Sequence, residues 1–171
     1  MKRLFALLAI GALLPAAPIT IQFTGTITQV PVDEIYQDIT TGTPVQISYT
    51  FESTAPNQVI GDPATGSYNS TGAGYEMTFT LPGHTFTASD FVGVGILNEF
   101  VDQYSVVAPG LSGALLLQIF MQDNSASVFS SNALPLSVST APFTIRQFSF
   151  QHVSGTSETQ FDGQLDAVSG I

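Results

Sequence analysis

The chain has no cysteine and no tryptophan, and among its 171 residues only 3 are lysine or arginine. Without cysteine there is neither a disulfide framework nor a thiolate metal site. Lys2 and Arg3 stand at the extreme N-terminus, so beyond it Arg146 is the one basic side chain set against 13 Asp and Glu. Nucleic-acid binding replaces counterions on phosphates with Lys and Arg, and that class is excluded. Adhesion to anionic lipid is disfavoured on the same ground. The remaining acidity reads as solubility in a salty or extracellular medium, with cation binding as the sharper alternative.

What is present is apolar and hydroxylated. Hydrophobic residues make up 44% of the chain and phenylalanine occurs 13 times, while charged residues are only 9%. That is enough apolar material for one well-buried domain rather than a disordered chain. Met1-Lys2-Arg3, the uninterrupted apolar run Leu4 to Leu14 and Pro15-Ala16-Ala17-Pro18 follow the order of an export signal: basic start, short apolar segment, breaker with small residues. The run is too short to span a bilayer. Cleavage is expected after Ala16 or Ala17, with Ala16 favoured because Pro18 hinders a cut directly before it. Residues 1–17 are thus read as a signal peptide and 18–171 as a single domain. No later apolar run reaches membrane length; the strongest, Leu115 to Met121, is strand-sized, so the processed protein is expected to have no membrane segment.

From Pro18 onward apolar residues recur with period two. Ile19, Ile21, Phe23 and Ile27 alternate with Thr20, Gln22, Thr24, Thr26 and Thr28; Val45 to Phe51 and Tyr75 to Leu81 repeat the pattern. Each is a strand with one face in the core and a threonine-rich face in water. Leu81-Pro82-Gly83-His84 reads as a turn. Further strands are expected at His84 to Ala88, Val92 to Ile96, Tyr104 to Val107, Leu115 to Met121, Val128-Phe129, Phe143 to His152 and Phe161 to Leu165. The phase slips near Arg146-Gln147, which predicts a β-bulge there. Residues 31–44 and 54–66 are the longest irregular stretches. No helical period is visible. The sequence predicts an all-β, antiparallel β-sandwich, jelly-roll-like, of about nine to eleven short strands.

Several stretches, in order, carry a resemblance: Phe23-Thr24-Gly25-Thr26-Ile27-Thr28, Ser48-Tyr49-Thr50-Phe51-Glu52-Ser53, Leu81-Pro82-Gly83-His84-Thr85-Phe86, Asn98 through Asp102 to Tyr104, Ser130-Ser131-Asn132-Ala133-Leu134-Pro135 and Gly163-Gln164-Leu165. On these the chain resembles the secreted β-sandwich domains of bacterial PEP-CTERM proteins, the substrates of the exosortase sorting system. The resemblance implies export and a place in the bacterial envelope or extracellular matrix, and brings no catalytic residues with it. Such proteins usually end in a Pro-Glu-Pro motif, an apolar helix and a basic tail. The sequence ends at Ile171 before any of these, and reads either as a freely released protein or as a fragment.

The chemistry-bearing residues are few. His84 and His152 both sit in the apolar phase of their strands, which points to core or edge histidines rather than a zinc pair. No G-x-S-x-G elbow occurs, and no carboxylate pair stands out, so no enzymatic activity is expected. No cofactor is expected, with calcium as the one candidate. Hard-oxygen ligands for it are Asp33, Glu34 and Asp38 in one loop and Asn98, Glu99 and Asp102 at a hairpin, with Asp123 and Asn124 at a further turn. Turn capping by the same side chains is the competing explanation. Tyr36, Tyr68 and Tyr104 are the polar-tipped aromatics nearest to turns and the candidates for contact with a sugar. The sequence is therefore read as a non-catalytic extracellular-matrix or cell-surface module, with an exopolysaccharide-binding module as the alternative. Its expected partners are extracellular polysaccharide or matrix proteins.

Overall fold

The computed structural model describes residues 17–30, 36–110, 115–154 and 157–170. Residues 1–16, on which the expected export signal falls, lie outside them, as do the candidate ligands Asp33 and Glu34.

Eight antiparallel strands follow one another around a closed barrel: β1 (Pro18–Gln29), β2 (Pro44–Glu52), β3 (Thr65–Leu81), β4 (His84–Asn98), β5 (Asp102–Pro109), β6 (Leu115–Asp123), β7 (Ile145–Ser154) and β8 (Ser157–Gly170). Each strand pairs with the next, and β8 returns to β1 with Phe23 opposite Val168 and Thr26 opposite Gln164. The expected all-β antiparallel class is present. The sandwich is not: closure of β8 on β1 removes the two sheet edges that a sandwich keeps.

The alternation sends one phase inward and the other outward. In β1, Ile21, Phe23 and Ile27 are buried while Thr24 and Thr28 are exposed; in β8, Phe161 and Leu165 are buried while Gln160 and Gln164 are exposed. The interior is filled rather than hollow, with Phe23, Tyr49, Phe51, Phe79, Tyr104, Phe150 and Phe161 fully buried in it. Phe150 stacks on Phe161 with ring centroids 4.4 Å apart, and Phe79 meets both Phe148 and Phe150 edge-on. Tyr49 and Tyr104 pair their hydroxyls in the core, and burial pushes both phenols well above their ordinary range.

The strands are fewer and longer than the sequence predicts. β3 and β4 form one long hairpin across the turn at Pro82-Gly83, where Gly83 takes a φ of 81° that other side chains resist. The two short strands expected between His84 and Ile96 are one strand. Between Thr71 and Glu76 the β3–β4 register shifts, and the buried phase of β3 moves from Tyr68 and Ser70 to Met77 and Phe79. This irregularity hid residues 65–74 as a strand. Val128-Phe129 is not a strand but part of the 124–144 connection. The bulge expected at Arg146-Gln147 is absent, because β6 and β7 pair in unbroken register from Gln122 opposite Ile145 to Leu115 opposite His152. Phe143 reaches the core from the loop before β7, so its phase is independent of the strand.

Candidate functional site

The connections after β1, β3, β5 and β7 lie at one end of the barrel, and those after β2, β4 and β6 at the other. At the first end residues 36–43 of the β1–β2 connection fold over the mouth. Ile27 N–H donates to the Thr43 carbonyl and Gly42 N–H to the Ile27 carbonyl, tying the strap to β1. Tyr36 is thereby buried in the mouth, edge-on to His84, Phe86, His152 and Phe161 at centroid distances of 5.5, 5.6, 6.0 and 5.5 Å. Its hydroxyl is hydrogen-bonded to His152 Nδ1 at 2.9 Å, and His84 Nε2 donates to Asp38 Oδ2 at 2.8 Å. That bond holds the Asp38 carboxyl below its ordinary range. The two histidines, far apart in sequence, thus converge around one tyrosine. No group of three His, Cys, Asp or Glu side chains among the described residues is arranged to hold a metal.

At the opposite end Asp102 and Asp123 face each other across β5 and β6, both buried. Asp102 Oδ2 accepts the backbone N–H groups of Val128 and Phe129 at 2.7 and 2.8 Å. With the Asn98 amide turned so that its nitrogen donates to Asp102 Oδ1, its oxygen accepts the Ser131 N–H. Asp123 accepts the backbone N–H and hydroxyl groups of Ser125 and Ser127. The two carboxylates anchor the 124–144 segment across this end, where Phe129 and Phe143 pack together at 5.9 Å. Of the calcium candidates placed here, Asp102 and Asn98 are committed to this loop while Glu99 is exposed to solvent. Turn and loop anchoring accounts for their positions.

These donors hold the Asp123 pKa at about 2, against an ordinary value of 3.8. Because the folded-state pKa is depressed, the stabilisation is fully present above about pH 4 and is lost as pH falls through about 2. Melting temperature is expected to fall more steeply between pH 4 and pH 2 for the wild type than for Asp123→Asn; parallel pH profiles would show that Asp123 does not carry this dependence.

The tyrosines chosen as sugar contacts are interior. Tyr104 is in the core against Tyr49, Tyr36 plugs the mouth, and Tyr68 is buried with its hydroxyl donating to the Asn132 carbonyl at 2.6 Å. None presents a ring face to solvent, because each lies in the inward phase or is drawn into the barrel by its connection.

One concavity on the outer wall was not singled out in the sequence. It is a groove of about 420 Å³ lined by Thr28, Gln29, Gln118, Phe120, Gln147 and Ser149, with Asp162 completing its floor. Register explains it: Gln118 stands opposite Ser149, Ser149 opposite Asp162, and Asp162 opposite Gln29, one polar row crossing β6, β7, β8 and β1. Phe120 stands beside it, opposite Gln147. In Leu115 to Met121, Leu117, Ile119 and Met121 are buried and Phe120 points outward. The signal in the sequence was an aromatic in the wet phase, concealed in an apolar stretch that only Gln118 interrupts.

Comparison with family models, with curated proteins and with solved structures finds no match.

Proposed function

We propose that the chain is a non-catalytic, exported module of a bacterial cell surface or extracellular matrix. The observation that carries this reading is that both histidines, the buried aspartates and the buried tyrosine pair are spent on holding the barrel together. His84 and His152 hold the strap through Asp38 and Tyr36, Asp102 and Asp123 hold the loop at the opposite end, and Tyr49 and Tyr104 hold each other. A catalytic constellation needs a nucleophile or base left free in a cleft, beside a group that orients it. On β1, β2 and β8 the outward phase is Thr, Ser, Gln and Asp over an apolar interior, which favours a wall in water, while Leu97, Val107, Leu116 and Phe120 stand outward on β4, β5 and β6. The basic start, the apolar run Leu4 to Leu14 and the resemblance to PEP-CTERM domains supply the export.

Expression in a secreting bacterium, with intact-mass measurement of the protein in the medium, tests the export. The expected mass is that of a chain starting at Ala17 or Pro18, and material in the medium that retains Met1 would overturn the reading.

A further inference from the structure

We infer that the outer-wall groove across β6, β7, β8 and β1 is a binding site for a neutral polysaccharide chain. The inference rests on the proposed placement of the module among extracellular polymers and names the polymer it contacts.

The first ground is the donor set. Gln29, Gln118 and Gln147 each present a carbonyl acceptor and two N–H donors, Ser149 a hydroxyl, and Asp162 a carboxylate acceptor. A ligand matching all of them carries closely spaced groups that both donate and accept, as the hydroxyls of a sugar do.

The second is that these groups are unspent. Elsewhere on the wall some amides are paired, Gln103 with Gln122 and Gln151 with Glu158, while others such as Gln46 make no hydrogen bond with a described residue. In the groove, Gln160 donates to Asp162 Oδ1, but the side chains of Gln29, Gln118, Gln147 and Ser149 make no hydrogen bond with any described residue.

The third is Phe120, half-buried beside the row, whose ring supplies an apolar face against which the C–H side of a sugar packs.

Shape and charge narrow the class. The polar row crosses three strand spacings, about 14 Å. It continues into a neighbouring depression of about 210 Å³ that shares Thr28, Gln147 and Gly163 and adds Thr144, Arg146 and Gln164. A trough of that length accepts a chain rather than one ring. Its volume lies in the range of small-ligand sites. The groove holds a carboxylate, its continuation holds the cation Arg146, and the chain as a whole carries a formal charge of −10, a balance that disfavours uronate and sulfated polymers.

Affinity electrophoresis of the purified protein decides the matter, using gels cast with dextran, galactomannan or hydroxyethyl cellulose as neutral probes and alginate as the anionic one. Retardation by at least one neutral polymer and none by alginate is expected. Phe120→Ala and Gln118→Ala, whose side chains leave the core untouched, are expected to weaken it about tenfold, while Gln46→Ala, on β2 outside the groove, leaves it unchanged. Absence of retardation by all three neutral polymers, retardation by alginate alone, or retardation indifferent to both groove variants would each overturn the site. Because the assay uses purified protein, its failure leaves the export reading intact, and a failure of export leaves this result standing.

Discussion

Replacing Gly163 with alanine is expected to lower the melting temperature by about 10 °C, a cost of about 3 kcal/mol for a domain of this size. A Cβ built at this position would lie 2.0 Å from Phe148 Cζ, 2.4 Å from Cε1 and 2.5 Å from the Thr26 carbonyl oxygen. All three are closer than atoms tolerate. The Phe148 ring cannot simply withdraw, because it is buried and meets Phe79 edge-on at 5.5 Å. The Thr26 oxygen is backbone, held by the β1–β8 pairing. Gly25 flanks the same ring, where an added Cβ would lie 3.0 Å from Phe148 Cε1 and 2.4 Å from the Gln164 carbonyl oxygen. Two glycines on the closing strands thus leave the volume that one phenylalanine fills. Chemical denaturation of Gly163→Ala, Phe148→Leu and the double variant measures the coupling. The double variant is expected to be more stable than the sum of the single losses. Strict additivity, or a Gly163→Ala protein melting within a degree of the wild type, would show that the close approach does not limit packing.

Asp102→Ala is expected to cost about 4 kcal/mol and to release the loop at the far end of the barrel before the barrel itself unfolds. The substitution leaves the Val128 and Phe129 N–H groups without their acceptor in a buried setting, and each unsatisfied donor costs about 1–3 kcal/mol. Asp102→Asn keeps one acceptor oxygen and is expected to cost about half as much. Glu99→Ala, on the solvent side of the same hairpin, is expected to change stability by less than about 0.5 kcal/mol. Limited proteolysis under native conditions separates local from global effects: cleavage within 124–144 should accelerate in Asp102→Ala while the strands stay protected. Unchanged cleavage would mean that Phe129 and Phe143 hold the loop without the carboxylate.

Most of the secondary structure was legible because period two is local. Ile21, Phe23 and Ile27 announce their face in a dozen residues, and Pro82-Gly83 announces its turn in two. Legibility failed where local order and tertiary order diverge. Residues 65–74, rich in Gly and Ser, lack the apolar signal of a strand, yet 65–71 pair with 91–97 in one long hairpin. Phe143 shares a strand's phase in the sequence but reaches the core from a loop. Tyr36, Tyr68 and Tyr104 looked like surface aromatics because turns lie near them, but nearness to a turn does not settle which side of the wall a ring takes. The groove was invisible for a related reason: Gln118, Ser149, Asp162 and Gln29 become one row only when four registers are set.

What the sequence determined by itself was the class: antiparallel strands, an inward apolar phase in each, and no cysteine chemistry. Those properties follow from alternation and composition, which any few neighbouring residues reveal. The tertiary structure alone decided that the strands close into a barrel, that both histidines meet at Tyr36, and that two aspartates are spent on a loop. Each of these depends on β8 pairing with β1, or on contacts between residues dozens of positions apart. An apolar face of period two is buried equally well by a facing sheet or by its own sheet curled shut. Choosing between them falls to long-range pairing and to the volume inside, here set by Phe148 against Gly25 and Gly163.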